Sequence, residues 1–440
     1  MAASATVQKA FGLFDDDSDD EYAEQVAAEE VHLTFTVDPA AAAPAGDDAA
    51  SAYAPSLWTH LAPDYMGPME FRDNSFEFGG GRGYYAACDM PAGTLLLRER
   101  AYVQWPDVED RDALLVATVD QILQCDDADD IASNMAPLHP VQLTDLPPPL
   151  LSAAKAQYTN ALQSVLSNYK RSGEFDKWLQ VVLGMQCNAF SSGVFLHTAM
   201  FNHDCNPNCV KFTPLTSLGV SEVRAARPIA KGEQLMISYL YPREQSRERR
   251  QAQLAKQFGF DCRCDLCGRG DVFSAAPPTA ATSEVSLAEV EKTAGTLEEL
   301  FADNPSANAA TVLHAALETL SDALEVVAFD HIVLMRVHKL VADTCDSLLK
   351  RKTTVAIEDH AILFLRSSYE LHELQKLFLH KDHIDLARTL NDISQGIRLL
   401  LSYNPDVLLA EFPEWPTFRD ASLVESQYTK EYKRIKALYE

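Results

Sequence analysis

The chain is 440 residues long, room for two or three domains, and 47% of it is hydrophobic, so most of it can bury a core. Asp and Glu number 64 against 37 Lys and Arg, a formal charge of −27; affinity for a phosphate backbone needs cations, so direct nucleic-acid binding is not expected. The acid suits a basic protein or peptide partner, or serves solubility alone, and no apolar run is long enough to span a bilayer.

Residues 1–60 read as a disordered tail, acidic at 15-DDDSDDEYAEQ-25 and low-complexity Ala/Pro at 39-PAAAAPAGDDAASAYAP-55. The start lacks the charged and apolar regions of a signal peptide, so cytoplasmic and/or nuclear residence is expected. A first β-rich part follows over 61–104. There 84-YYAACDM-90 and 94-TLLLRERAYV-103 flank the turn 91-PAG-93 and predict a hairpin. Residues 105–183 predict a helical insert, with 113-ALLVATVDQIL-123 and 153-AAKAQYTNALQSVL-166 separated by 147-PPP-149. The β grammar returns over 184–242, where 220-VSEVRAARPI-229 and 234-QLMISYLY-241 predict a second hairpin around 230-AKGE-233. A cysteine-rich segment closes it at 243–270. A Ser/Thr/Ala/Pro linker, 274-SAAPPTAATS-283, then leads into a helical domain within 271–440. In that domain Leu313, Leu317, Leu320 and Leu324 fall on one predicted face, as do Ile393, Ile397 and Leu400, which suggests stacked antiparallel helices. His380 and His383 read as packing or surface histidines on a shared helix face.

Two stretches carry chemistry. In 258-FGFDCRCDLCGRG-270, Cys262, Cys264 and Cys267 supply three thiolates, one short of a tetrahedral zinc site. The stretch 201-FNHDCNPNC-209 offers the fourth in Cys205. The competing reading is a set of free thiols or a redox pair; with no secretory signal, disulfides are not expected. A zinc held by four thiolates keeps no open position, so it would be structural. Cys209 reads as a small buried residue. The run 79-GGGRG-83 is no phosphate-binding loop, because no Gly-Lys-Ser/Thr follows.

Taken in order, G-R-G-Y, C-N-A-F, N-H-D-C-N-P-N, G-E-Q-L-M-I-S-Y and F-x-F-x-C-x-C-x-x-C resemble a SET-domain protein-lysine methyltransferase. The insert and helical end resemble the SET- and MYND-containing (SMYD) family. The resemblance implies an α+β fold: a β-rich SET domain with a helical insert, a zinc-binding post-SET loop and an all-α, TPR-like C-terminal domain. It implies S-adenosylmethionine as cofactor, contacted by Arg82, Gly83, Asn188, Asn202, His203, Tyr239 and Phe260. It implies Tyr239 at the methyl-transfer site, a lysine channel walled by Phe190, Tyr239 and Phe258, and structural zinc on Cys205, Cys262, Cys264 and Cys267. The implied partner is a protein or peptide with a target lysine, histone tails among the candidates, met by a monomer. The chemistry agrees: an in-line displacement rewards positioning, and an aromatic channel disfavours the charged amine by desolvation. Two departures stand out. Residues 100–186 contain only Cys125, so no MYND zinc module can form there, and Phe258 stands where many relatives carry tyrosine. A SET-like scaffold that binds partners without methylating them is the alternative; a zinc-dependent nucleic-acid binder is opposed by the charge.

Overall fold

The computed structural model describes residues 57–73, 81–108, 113–213, 219–272, 283, 285–351 and 357–440. The expected tail up to residue 56, the interior of the linker at 274–283 and the start of the glycine run at 79–80 lie outside them. Of residues 57–60, which the tail expectation includes, Leu57, Thr59 and His60 are exposed and one side chain is anchored. Trp58 is buried, with its indole N–H donating to the Asn134 carbonyl at 2.7 Å.

The β-rich unit is built from short strands. Strands β1 (Tyr65–Met66), β2 (Met69–Asp73), β3 (Arg82–Ala86) and β4 (Leu95–Arg100) precede the insert. The insert folds as α1 (Leu114–Leu123), α2 (Ala128–Met135), α3 (Pro148–Asn168) and α4 (Phe175–Asn188). Pro148 and Pro149 open α3, where their missing N–H groups cost nothing. After it come β5 (Ala189–Phe190), β6 (Gly193–Val194), β7 (Asn202–His203), β8 (Cys209–Phe212), β9 (Val220–Ala225) and β10 (Met236–Ile237). The largest sheet has the order β1-β4-β9-β8, while β2 pairs with β3, β5 with β6, and β7 runs parallel to β10.

Neither predicted hairpin forms. The run 84–90 and the run 94–103 belong to different sheets, as do 220–229 and 234–241; instead the two turn regions zip against each other. Leu235 N–H donates to the Tyr84 carbonyl, Met90 and Ile229 exchange both their backbone bonds, and Gly93 N–H reaches the Ala225 carbonyl. Lys231 N–H caps the Asp89 carboxylate from 142 residues away. Alternation marks a half-buried strand but carries no information on its partner. A tight turn pairs its own flanks only if both continue in one sheet, and here each turn passes the chain from one sheet to another.

Beyond the β unit, α5 (Arg247–Phe258) is capped by Ser246 and stopped by Gly259 at φ +79°, followed by the short α6 (Asp265–Arg269). The last part is helical: α7 (Leu287–Asp303), α8 (Pro305–Val326), α9 (Val333–Leu349), α10 (Ile357–Phe378), α11 (Ile384–Tyr403), α12 (Pro405–Glu411) and α13 (Phe418–Tyr439). Helices α7 to α11 pack each on the next, and α13 returns along α11. Ile393, Ile397 and Leu400 are fully buried as expected, but Leu324 is 46% exposed. The buried stripe of α8 is instead Ala309, Val312, Leu313, Ala316, Thr319 and Ala323; small side chains on that face let the neighbouring backbones approach. His380 and His383 lie in the turn between α10 and α11, not on a helix, and His383 caps α11 by accepting from Asp385 N–H. The helices also grip the β unit. Asn206 donates to the Phe378 carbonyl at 2.9 Å, and the Leu438 backbone lies where a side chain on Gly93 would have to go. Among the described residues no helix is long and apolar enough to cross a membrane.

Candidate active site and metal centre

The loop 201–209 runs beside the segment 233–239 that contains β10, and side chains stitch the two together. Asn208 donates to the Gln234 carbonyl and to Glu233, and its own oxygen accepts from Met236 N–H at 2.8 Å. The Asp204 N–H donates to the Ile237 carbonyl. These bonds stand in for a sheet ladder in a region whose strands are two residues long, and they fix Asn202 and His203 beside Tyr239.

A cavity of about 300 Å³ opens there, lined by Arg82, His139, Asp145, Cys187, Asn188, Ala199, Met200, Asn202, Tyr239, Phe258, Gly259 and Phe260. Its volume is at the small end of the range for ligand pockets. Asn202 donates to the Arg82 carbonyl at 2.8 Å. Gly83 makes that approach possible, since a Cβ there would meet the Gln234 amide at 2.9 Å and the Asn202 amide at 3.0 Å. Asn188 donates to the Gly184 carbonyl at 2.8 Å and to the His139 carbonyl, tying the end of α4 to the insert's loop. The aromatic wall is contiguous: Tyr239 lies 5.0 Å from Phe258, and Phe258 lies 6.3 Å from Phe260, centroid to centroid. The Tyr239 hydroxyl donates to the Phe201 carbonyl at 2.7 Å, and burial pushes the phenol above its ordinary value, so it stays protonated. Burial likewise lowers the His139 imidazolium and the Arg82 guanidinium, the latter opposed by Asp73 and Asp145.

The sequence-based site residues do not all share that cavity. Arg82, Asn188, Asn202, Tyr239, Phe258 and Phe260 line it; Gly83 lies directly behind. The His203 ring points away. Its Nδ1 accepts from Tyr239 N–H at 2.9 Å and its Nε2 lies 3.3 Å from the Cys205 sulfur, while burial pushes its imidazolium down to about 4. Phe190 is not among the lining residues. It packs edge-on to Phe195 with Lys211 over its ring at 5.1 Å, and its carbonyl accepts from the Trp105 indole. His139, Asp145 and Cys187 were missed by sequence reading; they come from the insert and its junction, where no local pattern marks a site.

The four cysteines do come together: the sulfurs of Cys205, Cys262, Cys264 and Cys267 all lie within 4.8 Å of one another. Cys205 is 3.8 Å from Cys262 and 3.6 Å from Cys267. A tetrahedral zinc with bonds of about 2.3 Å sets sulfurs about 3.8 Å apart, so the donor set fits that ion. Hydrogen bonds to the Cys262 and Cys264 sulfurs, then burial, hold the Cys205 thiol up; a divalent cation would reverse this. Around the cluster, the fully buried Arg250 donates to the Cys267 sulfur at 3.7 Å and to Asp271 at 2.8 Å. Gln251 brackets Cys262 by bonds to both its N–H and its carbonyl. Cys209 is buried outside the cluster.

A further buried acid supports the floor of the site. Glu99 on β4 accepts from the backbone N–H of His197 and of Thr198 at 2.8 Å each and from the Thr198 hydroxyl at 2.9 Å. It thereby holds the turn that leads to Met200 and Phe201. Burial outweighs those bonds and raises its carboxyl to about 7.

Residues 81–240 match the model of the SET domain. The histone-lysine N-methyltransferase Smyd1 of Mus musculus is 35% identical over 127 residues, 26% of this chain and 26% of that one. The histone-lysine N-methyltransferase SET5 of Saccharomyces cerevisiae is 33% identical over 94 residues, 21% of this chain and 18% of its own. The protein-lysine N-methyltransferase SMYD4 of Mus musculus is 38% identical over 92 residues, 20% of this chain and 11% of its own. The chain thus spans about a quarter or less of the length of these relatives. Residues 81–240 are similar to SET domains of both SMYD and SET5 methyltransferases, within an α+β fold with a largely helical C-terminal region.

Proposed function

We propose that the chain is a protein-lysine N-methyltransferase that uses S-adenosylmethionine and acts on a lysine in a basic protein segment, histone tails included, as a monomer in the cytoplasm or nucleus. The observation that carries this reading is the Tyr239 hydroxyl, fixed within the SET match at the edge of a cavity that has one amide-rich wall and one aromatic wall, the latter completed by Phe258 and Phe260 just beyond the match. When bound, S-adenosylmethionine supplies an electrophilic methyl group on a sulfonium. Asn202 and Asn188 offer uncharged polar edges for such a ligand, and Gly83 leaves the backbone room to approach it. Phe258 and Phe260 exclude water and disfavour the ammonium form of an incoming lysine. Tyr239 stays protonated and is therefore not a base. Its hydroxyl hydrogen is committed to the Phe201 carbonyl, so toward the neutral amine its oxygen acts as an acceptor that orients it for in-line attack. The four cysteines would hold a structural zinc, which supplies a cross-link between loop 201–209 and the segment after α5.

The test is transfer of labelled methyl from S-adenosylmethionine into core histones and a hypomethylated cell lysate. Wild type is run beside Tyr239→Phe after both are shown folded and zinc-loaded. Label on lysine that falls roughly 10²-fold in the variant is the expected result. Tight cofactor binding with no label in either sample favours a partner-binding scaffold, the reading to which Phe258 in place of tyrosine points. Failure of wild type to bind the cofactor overturns the proposal.

A further inference from the structure

Tyr239 is pinned at both ends. Its hydroxyl meets the Phe201 carbonyl, and its backbone N–H meets Nδ1 of His203. Since the amide can only donate, Nδ1 accepts, and the ring's hydrogen sits on Nε2, aimed at the Cys205 sulfur 3.3 Å away. The ring is 93% removed from solvent and is wedged between Tyr239, at 5.2 Å, and Phe260, at 6.0 Å, centroid to centroid. Both ring nitrogens are thus engaged by protein groups.

We propose that His203 is a positioning residue that couples occupancy of the cysteine centre to the placement of Tyr239, through one hydrogen bond to the Cys205 sulfur and one from the Tyr239 amide. This rests on the methyltransferase reading for its effect on turnover, but the coupling itself does not. A cation on the four sulfurs fixes Cys205; the bond to sulfur fixes the ring; the ring fixes the start of the Tyr239 side chain. With the cation removed, Cys205 is no longer tied to the other three sulfurs and can rotate, and the ring loses its anchor. The cysteine centre therefore does more than staple two loops: it sets the geometry of the residue at the reacting atoms. Outer partners of this kind typically carry a 10–100-fold effect when removed.

The test uses the full chain labelled with ¹⁵N-tyrosine, the Tyr239 amide resonance being identified by its loss in Tyr239→Phe. The zinc-loaded and cadmium-loaded proteins are compared as wild type, His203→Phe and His203→Gln, each first shown to hold one metal per chain. Glutamine can imitate the Nε2 donor, whereas phenylalanine removes both bonds. The expected result is a Tyr239 resonance that moves with metal exchange in wild type and stays still in His203→Phe. Turnover should fall about 10–100-fold in both variants, with the dissociation constant for S-adenosylmethionine within about threefold of wild type. The proposal is overturned if the resonance ignores the metal in wild type, or follows it equally in His203→Phe. It is also overturned if kcat is unchanged in both variants. Absence of any turnover in wild type would count against the methyltransferase reading alone and leave the coupling to be judged by the resonance.

Discussion

Around Tyr239 the chain runs in strands of two residues and in loops, whereas beyond Leu287 it runs in helices of up to 22 residues. The first region is held by bonds between segments far apart in sequence: Asn202 to Arg82, Asn208 to Gln234, Cys205 to the 262–267 loop. The second is held by apolar stripes of neighbouring helices, with Asn304, Asn404 and Thr417 capping their starts. Long-range polar stitching places a few atoms closely but depends on every stitch. Periodic burial spreads its stabilisation over many contacts and tolerates the loss of one on the surface. Chemistry sits where placement is dictated, and the helices act as its frame.

The sharpest way to break this contrast is at the cysteines. Cys205→Ser should abolish metal binding and destabilise the first region by more than about 5 kcal/mol, read by calorimetry beside metal content. An unchanged melting profile would show that the stitching does not need the ion. In the helical region Ile397→Ala, at a fully buried site, should cost about 3 kcal/mol in denaturant unfolding. The third comparison concerns Glu99. Its carboxyl is raised from an ordinary value near 4.5 to about 7, so the native state keeps a proton that the unfolded chain gives up. Its contribution is complete below pH 4.5 and is lost as pH rises through 7, on the order of 3 kcal/mol. Glu99→Gln should flatten the pH dependence of stability over that window; a slope equal to wild type would clear Glu99 of the role. Gly83→Ala should weaken S-adenosylmethionine binding about tenfold, measured by calorimetric titration, because the new methyl displaces the Asn202 amide. Last and smallest, Leu324→Ala should change stability by no more than about 0.5 kcal/mol, the surface counterpart of Ile397.

The same contrast explains what could be read from the chain. The cysteine spacing and the cluster at 201–209 are legible because their chemistry is concentrated in a few adjacent residues. The buried stripe at Ile393, Ile397 and Leu400 is legible because a helix writes its core face at fixed spacing. Strand pairing was not legible: the segments 84–94 and 225–235 each carry an apolar run and a Gly-containing turn, yet nothing local says that they pair with each other. Glu99 was not legible either. In 98-RER-100 it looks like a surface charge, and only the arrival of the His197 and Thr198 amides makes its burial tolerable. Leu324 misled because α8 buries a face of alanines, which a search for large apolar residues overlooks.

The zipper between residues 84–94 and 225–235 also imposes an order on biosynthesis. Asp89 leaves the ribosome 142 residues ahead of Lys231, the partner whose amide caps it. At ordinary translation speeds the first strands wait on the order of ten seconds with their edges open. The helices of the insert form from local contacts and emerge during that wait, so they can shield the open edges before the strands close. Shortening the insert would therefore shorten the exposure and remove the shield together, and the yield of soluble protein would report which of the two matters more to the nascent chain.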